Sequence, residues 1–281
     1  MILSNVEDYN LYSKISNSEL YTLNRCKKMW EYQYYQGLTP SSTPTYLSDG
    51  SFLHSMMAEA YTKKESIDMI SKRVQGENIQ EGLPSVNEET RTRFVQQLEA
   101  YFGEFPIDQT EVVAVEQEFY ADVGLKDTDG NTVLLHGIVD AVVRSADGQL
   151  WLVEHKTASR AWSVQQFEFA TQDVLYCVAW EALTGERPAG VQYNFFYPKR
   201  WEVKFKFAGP EQDAAVLTDV QGAVSLRDVM ELFPREPLYG CGGCRFRDLC
   251  YTELVGGDSQ YLRDTQYTVD QDRVDRFVEG E

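Results

Sequence analysis

Two residue patterns in this 281-residue chain could do chemistry. The first pairs two segments, His136-Gly137-Ile138-Val139-Asp140 and Val153-Glu154-His155-Lys156. Charged groups in otherwise apolar strands are costly to bury, so something should compensate them. Side chains alternate along a strand, so Glu154 and Lys156 share one face while His155 points away. Carboxylates beside an ammonium suit a hard divalent cation, Mg2+ or Mn2+, carrying a water. Such an ion would acidify that water and offset charge on a phosphate under attack. Lys156 would orient the water or stabilise developing charge. An ordinary strand-end ion pair uses the same residue types.

Asp140 must reach the same ion, and this constrains the turn between the two segments. A two-residue Asp147-Gly148 turn would pair Asp140 with His155, on the wrong face. A three-residue loop, Ala146-Asp147-Gly148, pairs Asp140 with Glu154 and places Gly148 in the left-handed region at little cost. The sequence therefore predicts this loop or an equivalent bulge.

The second pattern is Cys241-Gly242-Gly243-Cys244-Arg245-Phe246-Arg247-Asp248-Leu249-Cys250, spaced C-x2-C-x5-C. Three thiols this close, with two glycines to let the backbone wrap, suggest thiolate ligation. A fourth ligand must come from elsewhere, and Cys26 and Cys177 are the other two cysteines. Cys177 falls within an apolar helical stretch, where a buried free thiol is the ordinary outcome, so Cys26 is the better candidate. Zinc and an iron–sulfur cluster both suit such a set.

The elements that must position these residues can be read from periodicity and breakers. Helices are expected over 16–37, from Ser51 to Ser71, over 89–104, from Trp162 to Leu183 and over 211–233. Residues 38–50 read as a loop and 74–88 as a connection. Strands are expected at Val112–Val123, Thr132–Arg144, Gln149–Lys156, Val191–Tyr197 and Glu202–Phe207, with turns at Asp129-Gly130 and Asp147-Gly148. This order gives an α/β fold, a mixed sheet flanked by helices. One domain over 1–252 is expected, with a helical part (1–110), a central core (111–210) and a C-terminal helix plus cysteine cluster (211–252). An acidic tail, 253–281, would follow.

Taken together, His54 in Gly50-Ser51-Phe52-Leu53-His54, then Gly137-x-x-Asp140, then Glu154-x-Lys156, then Gln172-x-x-x-Tyr176 resemble the PD-(D/E)xK nucleases, in particular the RecB-like branch. The resemblance spans roughly residues 14–251. It implies a restriction-endonuclease-like core and metal-dependent hydrolysis of DNA. It also implies a divalent metal on His54, Asp140, Glu154 and the backbone carbonyl of His155, with Lys156 catalytic and Gln172 and Tyr176 positioning the site or the DNA. Glu118, on the preceding strand, is a further candidate beside the metal. One distant cysteine plus three near the C-terminus resembles the iron–sulfur nucleases, which include CRISPR-adaptation nucleases, the AddB nuclease domain and phage exonucleases. That likeness implies a [4Fe–4S] cluster on Cys26, Cys241, Cys244 and Cys250, an exonuclease acting on single strands or DNA ends, and partners in recombination, replication or CRISPR adaptation. The family usually has proline after its first cysteine, whereas this chain has Lys27.

The net charge of −18 argues against nucleic acid as a partner of the bulk surface, since phosphate neutralisation needs Lys and Arg. Local basic groups could still meet DNA, namely Arg25, Lys27, Lys28, Lys199, Arg200, Arg245 and Arg247. Apolar and charged fractions of 43% and 25% are those of an ordinary globular protein. No apolar run is long enough to span a bilayer, and the first residues do not read as a secretory signal. A cytoplasmic protein of a prokaryote or a phage-infected host is expected. Two rival readings remain open, a catalytically silent DNA-binding or scaffold subunit and a zinc-stabilised DNA-binding module.

Overall fold

The computed structural model describes residues 2–9, 12–42, 45–64, 86–237, 241–271 and 273–274. The fold is mixed α/β. A seven-stranded sheet runs in the order β1 (Leu3–Ser4), β4 (Glu111–Ala121), β5 (Val133–Arg144), β6 (Leu150–Thr157), β7 (Gly190–Phe196), β8 (Trp201–Phe207), with β2 (Ser13–Ser16) also paired to β5. The β1–β4 and β6–β7 pairs are parallel, and β5–β6 and β7–β8 are antiparallel. Flanking helices include α3 (Thr45–Lys63), α4 (Glu88–Glu104) and α6 (Gln172–Thr184). This is the expected fold class, consistent with a restriction-endonuclease-like core.

The chain divides into two compact units. The first holds 1–7, 44–123 and 136–216. Its apolar core joins Phe52, Leu53, Met56 and Met57 of α3 to Phe94, Leu98 and Tyr101 of α4 and to Ala141, Val143, Trp151 and Val153 of the sheet. Each large side chain buried there contributes about 1.5–3 kcal/mol. Only odd-numbered residues of β5 and β6 appear in that cluster, which leaves the even-numbered ones to the opposite face.

The second unit holds 8–43, 124–135 and 217–281. The single helix expected over 16–37 is instead three pieces. Helix α1 (Asn17–Arg25) is capped by Ser16, Cys26 is extended, and α2 (Lys27–Trp30) continues as a π-turn over Glu31–Tyr35. Cys26 is thus the N-cap of α2, and Lys27 occupies the first helical position. That position favours proline because its N–H needs no helical partner. Lysine fills the same role without breaking the geometry.

Other boundaries also moved. Part of the expected 38–50 loop is a strand, β3 (Leu38–Pro40), and α3 begins at Thr45. Residues 65–85, holding the end of the expected Ser51–Ser71 helix and most of the 74–88 connection, lie outside the described residues. The expected Trp162–Leu183 helix is two helices, α5 (Val164–Glu168) and α6. Ser163 and Gln166 form a capping box on α5, which ends at Phe169. The break frees the Ala170 carbonyl, which accepts from Lys206 Nζ at 2.8 Å. Helix α7 runs Pro210–Val229 and α8 runs Arg247–Leu254.

The expected acidic tail is largely structured. Asp258 caps α9 (Ser259–Gln266), and β9 (Tyr267–Val269) pairs antiparallel with β3. Tyr267 stacks on Phe246, and Arg263 binds Glu253 and Gln36. Apolar anchors and internal ion pairs fold this acidic segment. Residues 275–281 of that tail lie outside the described residues.

Candidate metal centre

The β5–β6 hairpin has the register that the chemistry required. Ala141 pairs with Val153 and Arg144 with Leu150, which places Asp140 opposite Glu154 at the end of the ladder. The loop is Ala146-Asp147-Gly148. Ser145 and Gln149 close it at 2.9 Å, and Gly148 has φ 85°. Beyond Ala141 the Asp140 side chain takes over as acceptor, its Oδ2 receiving the His155 backbone N–H at 2.7 Å.

Asp140 Oδ1 lies 3.1 Å from Nδ1 of His54 on α3, so that carboxylate ties the helix to the hairpin. Glu116 of β4 completes the group. Among the described residues, His54, Glu116 and Asp140 are the one set of three or more His, Cys, Asp or Glu side chains whose ligand atoms all lie within 4.8 Å of each other. Glu116 was not anticipated. In a regular strand it would share a face with Glu118, the residue the sequence suggested. Glu116 instead has φ 46°, a left-handed kink rare for a non-glycine residue, which re-aims the strand. Glu118 lies elsewhere, accepting from Tyr120 Oη at 2.8 Å and sitting 3.2 Å from His136 Nε2. No sequence signal distinguished the two glutamates.

Lys156 Nζ donates to Glu154 Oε1 at 2.5 Å and to Gln172 Oε1 at 2.9 Å. An ammonium has three donors, so one N–H remains for a further acceptor. The Tyr176 hydroxyl lies close enough to the Gln172 side chain and the Ile138 backbone for both to act on it. Glu154, Lys156, Gln172 and Tyr176 therefore form one chain of contacts. Gly137 makes room for it, because a Cβ there would stand 2.8 Å from both Tyr176 Oη and Phe119 Cζ. His155 points away from this chain, as expected. Its ring is buried between Tyr61 and Asn194, and burial pushes its pKa down to about 3.

The carboxylates of the site act on one another's charge. Burial and the Asp140 and Glu154 charges push Glu116 up to about 7, against the pull of His54. Burial, together with Asp140, also raises Glu154 above the usual range, although Lys156 opposes this. Burial disfavours the charge on Asp140, but the His54 hydrogen bond and the His155 contacts hold its carboxyl below the usual range. Burial lowers His54, yet its hydrogen bond to Asp140 and the three nearby carboxylates raise it overall. Imidazole and carboxylate donors in one cluster suit Mg2+ or Mn2+, and a divalent ion would relieve the mutual repulsion.

The cysteines are arranged differently. Cys26, Cys244 and Cys250 pack against one apolar cluster built on Met29, Tyr32, Phe246 and Leu249. Burial raises the Cys244 thiol, and neighbouring Cys26 and Cys250 add to this. Arg235 Nε reaches Cys250 Sγ at 3.2 Å. Cys241 is exposed, and Cys177 is buried in the other unit as a packing thiol. No cysteine sulfurs converge to within 4.8 Å as a group among the described residues.

The proposed DNA-binding cations are partly neutralised within the protein. Lys28 pairs with Glu31 and Glu253, Lys27 with Glu236 and Arg200 with Glu202. Arg25 lies close enough to Cys244 to act on its charge, while Lys199, Arg245 and Arg247 are exposed. No helix among the described residues is long and apolar enough to cross a membrane.

No curated protein matches this sequence significantly. Among solved structures, that named "Crystal structure of SSO0001" overlays 88% of this chain and 88% of its own, with 14% identity and a TM-score of 0.44, too loose to carry an argument. The family model described as "PD-(D/E)XK nuclease superfamily" matches residues 14–251, nearly all of the site and fold just described. This chain therefore belongs to the PD-(D/E)XK nuclease superfamily.

Proposed function

We propose that the chain is a divalent-metal-dependent deoxyribonuclease whose ion is held by His54, Glu116 and Asp140, with Glu154 and the His155 carbonyl beside it. The observation that carries this is the convergence of those three ligand groups next to Lys156. A bound Mg2+ or Mn2+ would supply an acidified water and charge neutralisation at the scissile phosphate. Glu154 and Gln172 fix the Lys156 ammonium, whose third N–H is left to hold the attacking water or a phosphate oxygen. Tyr176 fixes Gln172, and Gly137 lets Tyr176 approach. Asp140 anchors the His54 imidazole so that both can turn toward one ion. The same machinery argues against a silent scaffold, because no position of the pattern is missing.

The finer reading is an exonuclease on single strands or DNA ends. Incubating wild type and Lys156→Ala with end-labelled single and double strands and Mn2+ tests it. Equal inertness of the two proteins would favour the scaffold reading.

A second reading concerns the thiols. Cys26, Cys241, Cys244 and Cys250 would hold a [4Fe–4S] cluster, with zinc as the other candidate. What supports it is the single apolar cluster against which Cys26, Cys244 and Cys250 all pack. A cubane binds each thiolate to a different iron, so its ligand sulfurs need not crowd as they do around one ion. Visible absorbance and iron analysis of anaerobically purified protein test this, and zinc without iron would overturn it.

A further inference from the structure

A cavity of about 670 Å3 opens directly after the Lys156 strand. It is lined by the loop Thr157–Trp162 and by Arg93, Phe94, Gln166, Tyr197 and Asp49. A second cavity, about 750 Å3, holds His54 and Glu116, and Thr157 lines both. The two spaces therefore adjoin, one residue beyond Lys156.

The chemistry of the first cavity is that of a nucleotide. Its size falls in the range of roughly 300–1,000 Å3 typical of small-molecule sites. Trp162 is half-buried, packed edge-on to Phe195 with centroids 5.2 Å apart and against Tyr193 at 6.0 Å. Its ring is thus held in place while still partly open. Two guanidinium groups border the same space. Arg160 is exposed, and Arg93 lies over Phe94 with a buried Nε that has no hydrogen-bond partner among the described residues. Asp49 stands 3.7 Å from Arg93 at the rim, a loose contact that a phosphate could replace. An aromatic face with two adjacent arginines binds a base and its phosphate.

We propose that this cavity is a subsite for one unpaired nucleotide flanking the scissile phosphate, with Trp162 stacking on the base and Arg93 and Arg160 holding its phosphate. This rests on the nuclease reading and deepens it. A base within a duplex is stacked and paired, so it cannot enter. The subsite therefore selects single strands or frayed ends by access.

The test is equilibrium binding of a labelled single strand, measured by anisotropy in the Lys156→Ala background. Trp162→Ala weakens binding about tenfold or more, the scale of one lost base stack. Trp162→Phe recovers most of the loss, which separates stacking from misfolding. Stepping a single abasic site along the strand reproduces the loss at one position, and there it adds nothing to Trp162→Ala. Additive losses, no effect of Trp162→Ala, or no single-strand binding would each overturn the subsite. Cleavage by wild type separates the two readings. If wild type cuts DNA but Trp162→Ala binds normally, the subsite fails and the nuclease stands. If wild type cuts nothing but the abasic and Trp162→Ala losses coincide, the nuclease reading fails and the subsite stands.

Discussion

The carboxylate site and the cysteine region are both built from distant parts of the sequence, but in different ways. His54, Glu116 and Asp140 come from a helix and two strands and bring their ligand atoms within 4.8 Å of one another. Asp140 is held from both sides, by His54 and by the His155 backbone. Cys26 lies at the break between α1 and α2, Cys241 opens a 3-10 turn, Cys244 follows that turn and Cys250 sits in the first turn of α8. Cys26, Cys244 and Cys250 pack against one apolar cluster, and no three of the sulfurs lie within 4.8 Å of one another among the described residues. Sites on regular elements are fixed by the ladder and the core, whereas sites on turns depend on what they bind. If the thiols bind a metal as proposed, the first site should survive ion removal as a structure and the second should not.

The largest expected effect tests the first half of that contrast. Lys156→Ala should lower kcat on the order of 10²–10³-fold. The fold should be unchanged by circular dichroism, because Lys156 sits at the site and not in the core. Retained cleavage would remove Lys156 from the mechanism.

Next, Glu116→Gln should weaken Mn2+ binding about 10–100-fold by calorimetry. Glu118→Gln should leave it unchanged, since Glu118 is engaged with Tyr120 and His136. The reverse result would mean that the kink at Glu116 does not build the site.

The pH dependence follows from the same groups. Glu116 sits near 7 and His54 is raised, so both carry protons that a metal must displace. Metal affinity should fall below pH 7 by about tenfold per unit for each proton displaced. For the metal-free protein the sign is opposite. A group raised in the folded state contributes stability below its unfolded pKa and loses it as pH rises through the folded value. The metal-free melting temperature should therefore drop between pH 5 and 8 through these groups, and Mg2+ should restore it at pH 8. A flat metal-free profile would mean that the site is not strained by its own charge.

Gly137→Ala should cost about 1–3 kcal/mol in chemical denaturation, because the new Cβ meets Tyr176 and Phe119. The smallest effect on cleavage should come from the thiols. Cys26→Ser should reduce bound iron or zinc and lower the stability of its unit, yet reduce cleavage less than Glu116→Gln does. Cys177→Ser should leave metal content unchanged. If Cys26→Ser abolishes cleavage, the two regions are not separable in this way.

The sequence by itself determined whatever repeats at the period of one element. Strand alternation put Glu154 and Lys156 on one face and His155 on the other. Turn chemistry set the hairpin register through Gly148, and the four-residue spacing joined Gln172 to Tyr176. Each follows from backbone geometry over a few residues, so residue types alone specify it. Tertiary structure alone decided what breaks those periods. The kink at Glu116 brought to the site a carboxylate that alternation could not distinguish from Glu118. The extended Cys26 split one expected helix, and the end of α5 at Phe169 split another. Apolar contacts of Tyr267 fold a tail whose acidic composition left its structure unread. These departures are small local costs repaid by long-range contacts, and long-range contacts have no signature in sequence spacing.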